Sequence, residues 1–265
     1  MGDIVVFDLD EMSIKSDSAS QYRKIFEYHG KKYFYKHLSE RPVYYELIAH
    51  KIAERLGIPS APCYFTKYNH AIGISSEMFD TKNYVPISDI LYETYGNDEC
   101  IFNNLEDIWY ALEKKFDEKT TARLMDELTN IFLFDILIGN GDRHSENLGL
   151  IIDGNSVKFA PLFDHEYSLF VNSINKGIYH MSVSKNDQEN SVVKFLKDSD
   201  SLYTERLQAM LPVISTESLE EIFLELESEG VTIPLDIKMS IFDRFATNRE
   251  MINNAISKNI VSNSK

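Results

Sequence analysis

Two hydrophobic patterns divide the chain. In the first third, apolar residues come in short aromatic stretches, whereas from about residue 105 onward they recur at three- and four-residue intervals. The first pattern predicts strands and the second helices. Residues 22–28 and 32–37 are aromatic-rich and flank His29-Gly30-Lys31, a hairpin signal. A helix follows, with Pro42 near its first turn, Leu47, Ile48, Ile52 and Leu56 on one face, and Gly57 before Ile58-Pro59 as its stop. Strands over 63–66 and 71–79 complete a small sheet. Helices are expected over 105–116 and 120–137, the second becoming mostly apolar toward Ile138. A hairpin is expected next, with strands 148–152 and 157–160 around Asp153-Gly154-Asn155-Ser156. Beyond a polar loop near 182–191 the rest reads as helical, with apolar residues at three- and four-residue intervals over 217–227 and 236–256. The expected fold is α+β and two-lobed: a small β-rich lobe over residues 1–80, then a larger helical lobe over 81–265, the chain crossing near 77–80.

Composition sets bounds on this picture. With 265 residues, 43% of them hydrophobic, the chain can bury a sizeable core as one large domain or two closely packed lobes. Its formal net charge of −15 repels phosphate backbones and anionic lipid, so neither direct nucleic-acid binding nor membrane association is expected. Residues 131–138 form one of the longest apolar runs; they contain Asp135 and are too few to span a bilayer. Met1-Gly2-Asp3-Ile4 shows no secretory signal, and Cys63 and Cys100 form no disulfide framework. A cytoplasmic setting is the expectation.

The chemistry concentrates in Leu137-Ile138-Gly139-Asn140-Gly141-Asp142-Arg143-His144-Ser145-Glu146-Asn147, which closes a helix with a tight polar loop. Asp142 and Asn147 stand at the Asp-x-x-x-x-Asn spacing with which kinase catalytic loops place a base and a metal-binding amide. A carboxylate there can orient a hydroxyl and accept its proton, and an amide oxygen is a neutral hard ligand for Mg2+. Asn147 precedes one strand of the expected hairpin and Asp164 follows the other, so the hairpin should bring the two together. His144 and His165 raise a rival reading, a histidine metal site with Asp142 and Asp164. The spacing lacks the paired histidines usual for such sites, which favours His144 as a hydrogen-bonding loop residue.

These residues, followed by Leu148-Gly149-Leu150 and then Phe159-Ala160-Pro161-Leu162-Phe163-Asp164, resemble the catalytic core of the HipA-like kinases, which include shorter CtkA-type bacterial members. The resemblance implies a protein-kinase-like fold and a Ser/Thr kinase that uses ATP and Mg2+ on an unknown protein substrate. It makes Asp142 the catalytic base and Asn147 and Asp164 the Mg2+ ligands. It also makes Lys36 the lysine that contacts the α- and β-phosphates, with Glu46 as its ion-pair partner. Ser76-Glu77-Met78-Phe79-Asp80 would be the hinge, with backbone groups of Glu77 and Phe79 meeting adenine. Where the family has its phosphate loop, this chain has the glycine-free stretch 16–24. Exposed N–H groups there, at Ser18 and Ser20 among others, together with Arg23 or Lys24, would meet phosphate. By the same analogy Ser16, Ser18 or Ser20 would be autophosphorylated.

Three other readings stand beside it. Ile4-Val5-Val6-Phe7-Asp8-Leu9-Asp10 imitates the first motif of haloacid-dehalogenase-type phosphatases, with Asp8 as nucleophile and Asp10 as acid/base, although Glu11-Met12 departs from that motif. The same HipA-like fold could serve as a nucleotide-binding pseudokinase, or as a phosphotransferase acting on small molecules.

Overall fold

The computed structural model describes residues 6–10, 16–19, 23–79, 81–96, 105–141, 143–166, 168 and 201–263. Asp142, Ser20, Cys100 and the polar loop near 182–191 lie outside the described residues.

The expected aromatic strands form a six-stranded sheet. Its strands are β1 (Val6–Asp8), β2 (Ser16–Ala19), β3 (Arg23–Tyr28), β4 (Lys31–His37), β5 (Cys63–Tyr68) and β6 (Ala71–Glu77), in the spatial order β1-β5-β6-β4-β3-β2. Helix α1 (Glu40–Leu56) interrupts them and stops at Gly57, whose φ of 67° closes the last turn in the left-handed region. The β3–β4 hairpin turns at His29-Gly30, both with positive φ. Residues 16–19, expected as loop, are instead the edge strand β2 paired to β3.

Alternation along the strands gives the sheet two buried faces. Phe26, Tyr33 and Tyr35 turn outward and pack with Phe7 and Leu9 of the β1 segment. Phe7 meets the rings of Phe26, Tyr28, Tyr33 and Tyr64 edge-on at 5.0–5.5 Å between centroids. The other face carries Phe34, Lys36, Ile74 and Ser76 toward a cleft. Here the phosphatase reading ends. Asp10 accepts the N–H groups of Asn69 (2.8 Å) and His70 (3.2 Å), two positive-φ residues in the β5–β6 turn. These hydrogen bonds hold its carboxyl below the usual range. It caps a hairpin and lies outside the cleft lining.

A short strand β7 (Tyr84–Pro86) follows the crossing and joins β8 (Gly149–Asp153) and β9 (Ser156–Phe159) in a three-stranded sheet. The helices are α2 (Ile87–Tyr95), α3 (Leu105–Lys115), α4 (Glu118–Ile138), α5 (Ser201–Met210), α6 (Thr216–Ser228) and α7 (Leu235–Asn263). The sequence pattern had not marked α2, while α5 falls in the stretch after the polar loop that reads as helical. None of the described helices is long and apolar enough to cross a membrane. One core runs from α1 through α4 to α7, so the lobes share their apolar interior. Across it Lys51 of α1 pairs with Glu225 (2.7 Å) and Glu229 (2.8 Å) of the α6 region.

A polar strap also ties the lobes. The Leu162 N–H donates to the Pro59 carbonyl, the Ala61 N–H to the Leu162 carbonyl, and His50 Nδ1 lies 3.1 Å from Ser60 Oγ. Burial, aided by the charge of Lys51, lowers the His50 pKa to about 4. The unfolded chain then holds a proton that the folded chain lacks between the folded value and about 6.5, so this contribution weakens as pH falls through that window. Between pH 7 and pH 5 the native chain should lose about 2 kcal/mol more stability than His50→Gln, measured by urea unfolding. Equal losses would contradict the neutral, buried His50.

Candidate active site

The cleft between the six-stranded sheet and the segment that follows β9 holds a cavity of about 350 Å3, within the range of small-ligand pockets. Phe34, Leu38, Ala61, Ile74, Met78 and Phe163 give it apolar walls, and Arg23, Lys36, Glu46, Asp164 and Glu166 supply charge.

Lys36 enters it because Phe34 and Lys36 share the cleft face of β4. Its Nζ lies 2.9 Å from Asp164 Oδ1 and 2.6 Å from Glu166 Oε2. Burial works against the ammonium, yet Asp164 and Glu166 outweigh it and raise its pKa. Glu46, expected as the partner of Lys36, makes no ion pair with it. It is buried on α1, receives the backbone N–H of His165, and leaves Oε2 without a hydrogen-bond partner. Burial first, then the nearby charge of Asp164, pushes its pKa up to about 8. The partner that sequence reasoning missed is Glu166, two residues past Asp164.

Arg143 organises the loop side. It is fully buried, and its guanidinium grips the Asp135 carboxylate with Nε at 3.0 Å and Nη2 at 3.1 Å. Its Nη1 donates to the carbonyls of Asn147 (3.1 Å) and Phe163 (3.0 Å). One nitrogen thus ties the residue before Asp164 to Asn147, and the two hairpin ends converge as expected. Asp164 holds a φ of 62°, a left-handed conformation that Asp tolerates better than most residues. Its neighbour His165 lies 3.2 Å by Nδ1 from Arg143 Nη2. Burial and the charge of Arg143 keep His165 neutral, far below the usual histidine range. His144 Nδ1 accepts the Glu146 N–H, a loop hydrogen bond as expected. Among the described residues no three His, Cys, Asp or Glu side chains gather as a metal cage, and the histidine-site reading gains no support. Asn147 and Asp164 supply hard oxygens, which suits Mg2+, an ion usually held by one or two carboxylates plus phosphate oxygens.

At the hinge, Glu77 sits opposite Pro62 and donates its N–H to the Pro62 carbonyl at 2.8 Å. A proline has no N–H to return, so that strand leaves the Glu77 carbonyl as an available acceptor. The Glu77 side chain turns to Lys31 instead (2.9 Å). Phe79 lines the cavity and its ring stands 6.0 Å from that of Phe163. On β3 the structure separates the two candidate cations. Lys24 points to the opposite face, 4.3 Å over the Tyr68 ring, while Arg23 lines the cavity. Adjacent residues on a strand face opposite ways, so the two cannot serve one site. Ser18 pairs with Ile25 in the β2–β3 ladder.

The sequence profile of the HipA-like C-terminal domain matches residues 14–229. The serine/threonine-protein kinase CtkA of Helicobacter pylori strain J99 is 29% identical over 129 residues, which is 45% of this chain and 38% of that relative. A crystal structure of the Helicobacter pylori proinflammatory kinase CtkA superposes with a TM-score of 0.69 at 18% identity, covering 96% of this chain and 98% of that one. HipA, from its complex with HipB and operator DNA in the Shewanella oneidensis MR-1 toxin–antitoxin system, superposes with a TM-score of 0.60 at 15% identity. That match covers 90% of this chain and 65% of the HipA chain. The two solved structures share the two-lobed, kinase-like fold. With residues 14–229 inside the profile, the chain belongs to the HipA-like C-terminal domain family.

Proposed function

We propose that the chain is an ATP- and Mg2+-dependent kinase that transfers the γ-phosphoryl group to a Ser or Thr hydroxyl of a protein, and also to its own serines among Ser16, Ser18 and Ser20. The observation that carries this reading is the meeting of Lys36 and Asp164, 128 residues apart in sequence, at the wall of a nucleotide-sized cavity.

In this reading residues 1–80 bind the nucleotide and residues 81–265 supply the loop chemistry. Phe34, Ala61, Ile74 and Phe163 enclose the adenine ring. The Glu77 carbonyl accepts from its amino group, and the Phe79 N–H donates to the ring. Lys36 and Arg23 bind phosphate oxygens. Asn147 and Asp164 hold Mg2+, which offsets the charge of the phosphates when bound. Asp142 orients the acceptor hydroxyl and takes its proton, a role suited to a carboxylate beside a positioned hydroxyl. Most of the rate then comes from positioning and fixed charge rather than from covalent chemistry.

Calorimetric titration with Mg·ATP tests the nucleotide half. The native chain should bind it. Arg23→Ala should weaken binding about tenfold or more, since charge-assisted hydrogen bonds contribute about 1.5–3 kcal/mol. Lys24→Ala should bind like the native chain. A native chain that binds no Mg·ATP would sink the reading.

A further inference from the structure

Lys36 rests between two carboxylates, and only one of them has a role so far. Asp164 Oδ1 and Glu166 Oε2 both approach the ammonium, at 2.9 and 2.6 Å, so two anionic oxygens converge on one cation-sized point. The Glu166 side chain is only 12% exposed, which denies its carboxylate an easy exit to water. Glu46, 5% exposed, lines the same cavity, but with its pKa pushed up to about 8 it stands there largely as the neutral acid, so the anionic pair is Asp164 and Glu166.

The proposed function calls Lys36 to the phosphates. Once it moves, Asp164 and Glu166 face each other, and the arriving phosphates, with no cation between them. Like charges that close, with Glu166 largely out of water, repel one another. A divalent cation in the vacated position removes the conflict, and hard carboxylate oxygens suit it. We propose that Glu166 is a ligand of the divalent cation, sharing it with Asp164, and that in the nucleotide-free chain the Lys36 ammonium occupies that cation's position. The inference rests on the reading of Asn147 and Asp164 as a Mg2+ site and adds a ligand to it.

Lys36 and the metal ion are then competitors, which binding measurements can detect without any turnover. Mn2+ is the probe, with the free ion counted by its electron paramagnetic resonance signal and the fold of each variant checked by circular dichroism. In nucleotide-free protein, Lys36→Met should bind Mn2+ about tenfold more tightly than the native chain, because the internal cation is gone. Adding Glu166→Gln to Lys36→Met should cancel the gain. Adding Glu166→Asp should also cancel it, since the charge remains but the oxygens fall short by one methylene. That second variant separates ligation from the general field of a nearby carboxylate.

Should Lys36→Met fail to fold, Glu166→Gln in the otherwise native chain, with ADP present, should weaken Mn2+ binding by about tenfold or more. If Glu166→Gln and Glu166→Asp leave Mn2+ affinity unchanged while Asp164→Asn abolishes it, Glu166 is a partner of Lys36 only and the proposal falls. If Asp164→Asn also leaves Mn2+ affinity unchanged, the metal-site reading beneath it falls as well.

Discussion

Arg143→Ala should destabilise the protein by about 3–5 kcal/mol, the range found when one partner of a buried ion pair is removed. Asp135 has 0% side-chain exposure, as does Arg143, so the orphaned carboxylate has no water to turn to. Asn140 Nδ2 would remain at 2.9 Å as a donor to Asp135, but an amide does not neutralise the charge. The carbonyls of Asn147 and Phe163 lose their shared donor in the same step. Against a typical domain stability of about 5–15 kcal/mol, this is a large share. Arg143→Lys should recover little, because an ammonium cannot reproduce the planar fork on Asp135 while also reaching both carbonyls. Urea unfolding followed by circular dichroism is the measurement. A midpoint for Arg143→Ala within about 1 kcal/mol of the native chain would contradict the network.

The second large effect separates two aspartates by role. Asp142→Asn should leave Mg·ATP affinity close to native and reduce phosphoryl transfer by about 100-fold or more, the scale of a lost general base. Asp164→Asn should act earlier, weakening Mg·ATP binding itself. It removes a charged oxygen from the proposed metal site and also frees Lys36 from one of its two carboxylates. The two defects are therefore predicted to part in a calorimeter before any turnover is measured.

Much of this arrangement was legible in the sequence where the geometry is local. A hairpin returns its ends to one place whatever surrounds it, so the convergence of Asn147 with the Asp164 segment followed from two short strands and Asp153-Gly154-Asn155-Ser156. Helix α1 was legible for the same kind of reason, through its apolar spacing and its Gly57 stop. What was hidden depends on direction rather than pattern. Strand β3 places an apolar residue on each face, Ile25 on one and Phe26, at 1% exposure, on the other, so alternation did not reveal whether Arg23 or Lys24 enters the cleft. The order of a strand lysine and a helix glutamate suggested a Lys36–Glu46 pair. Only the turn of the chain after Asp164, begun by its positive φ, delivers Glu166 to Lys36 instead. Arg143 and Asp135 did leave a trace, a lone acid inside the apolar run 131–138 with an arginine eight residues later. A buried charge in such a run needs a buried partner, and that partner organises the site.

Transfer of label from γ-labelled ATP tests the central claim most directly, with the native chain and Asp142→Asn side by side and casein added as a general Ser/Thr acceptor. Mg2+-dependent label is expected on the native chain or on casein, and next to none with Asp142→Asn although that variant still binds Mg·ATP. A native chain that binds Mg·ATP but transfers no label, or equal label from the two proteins, would contradict it.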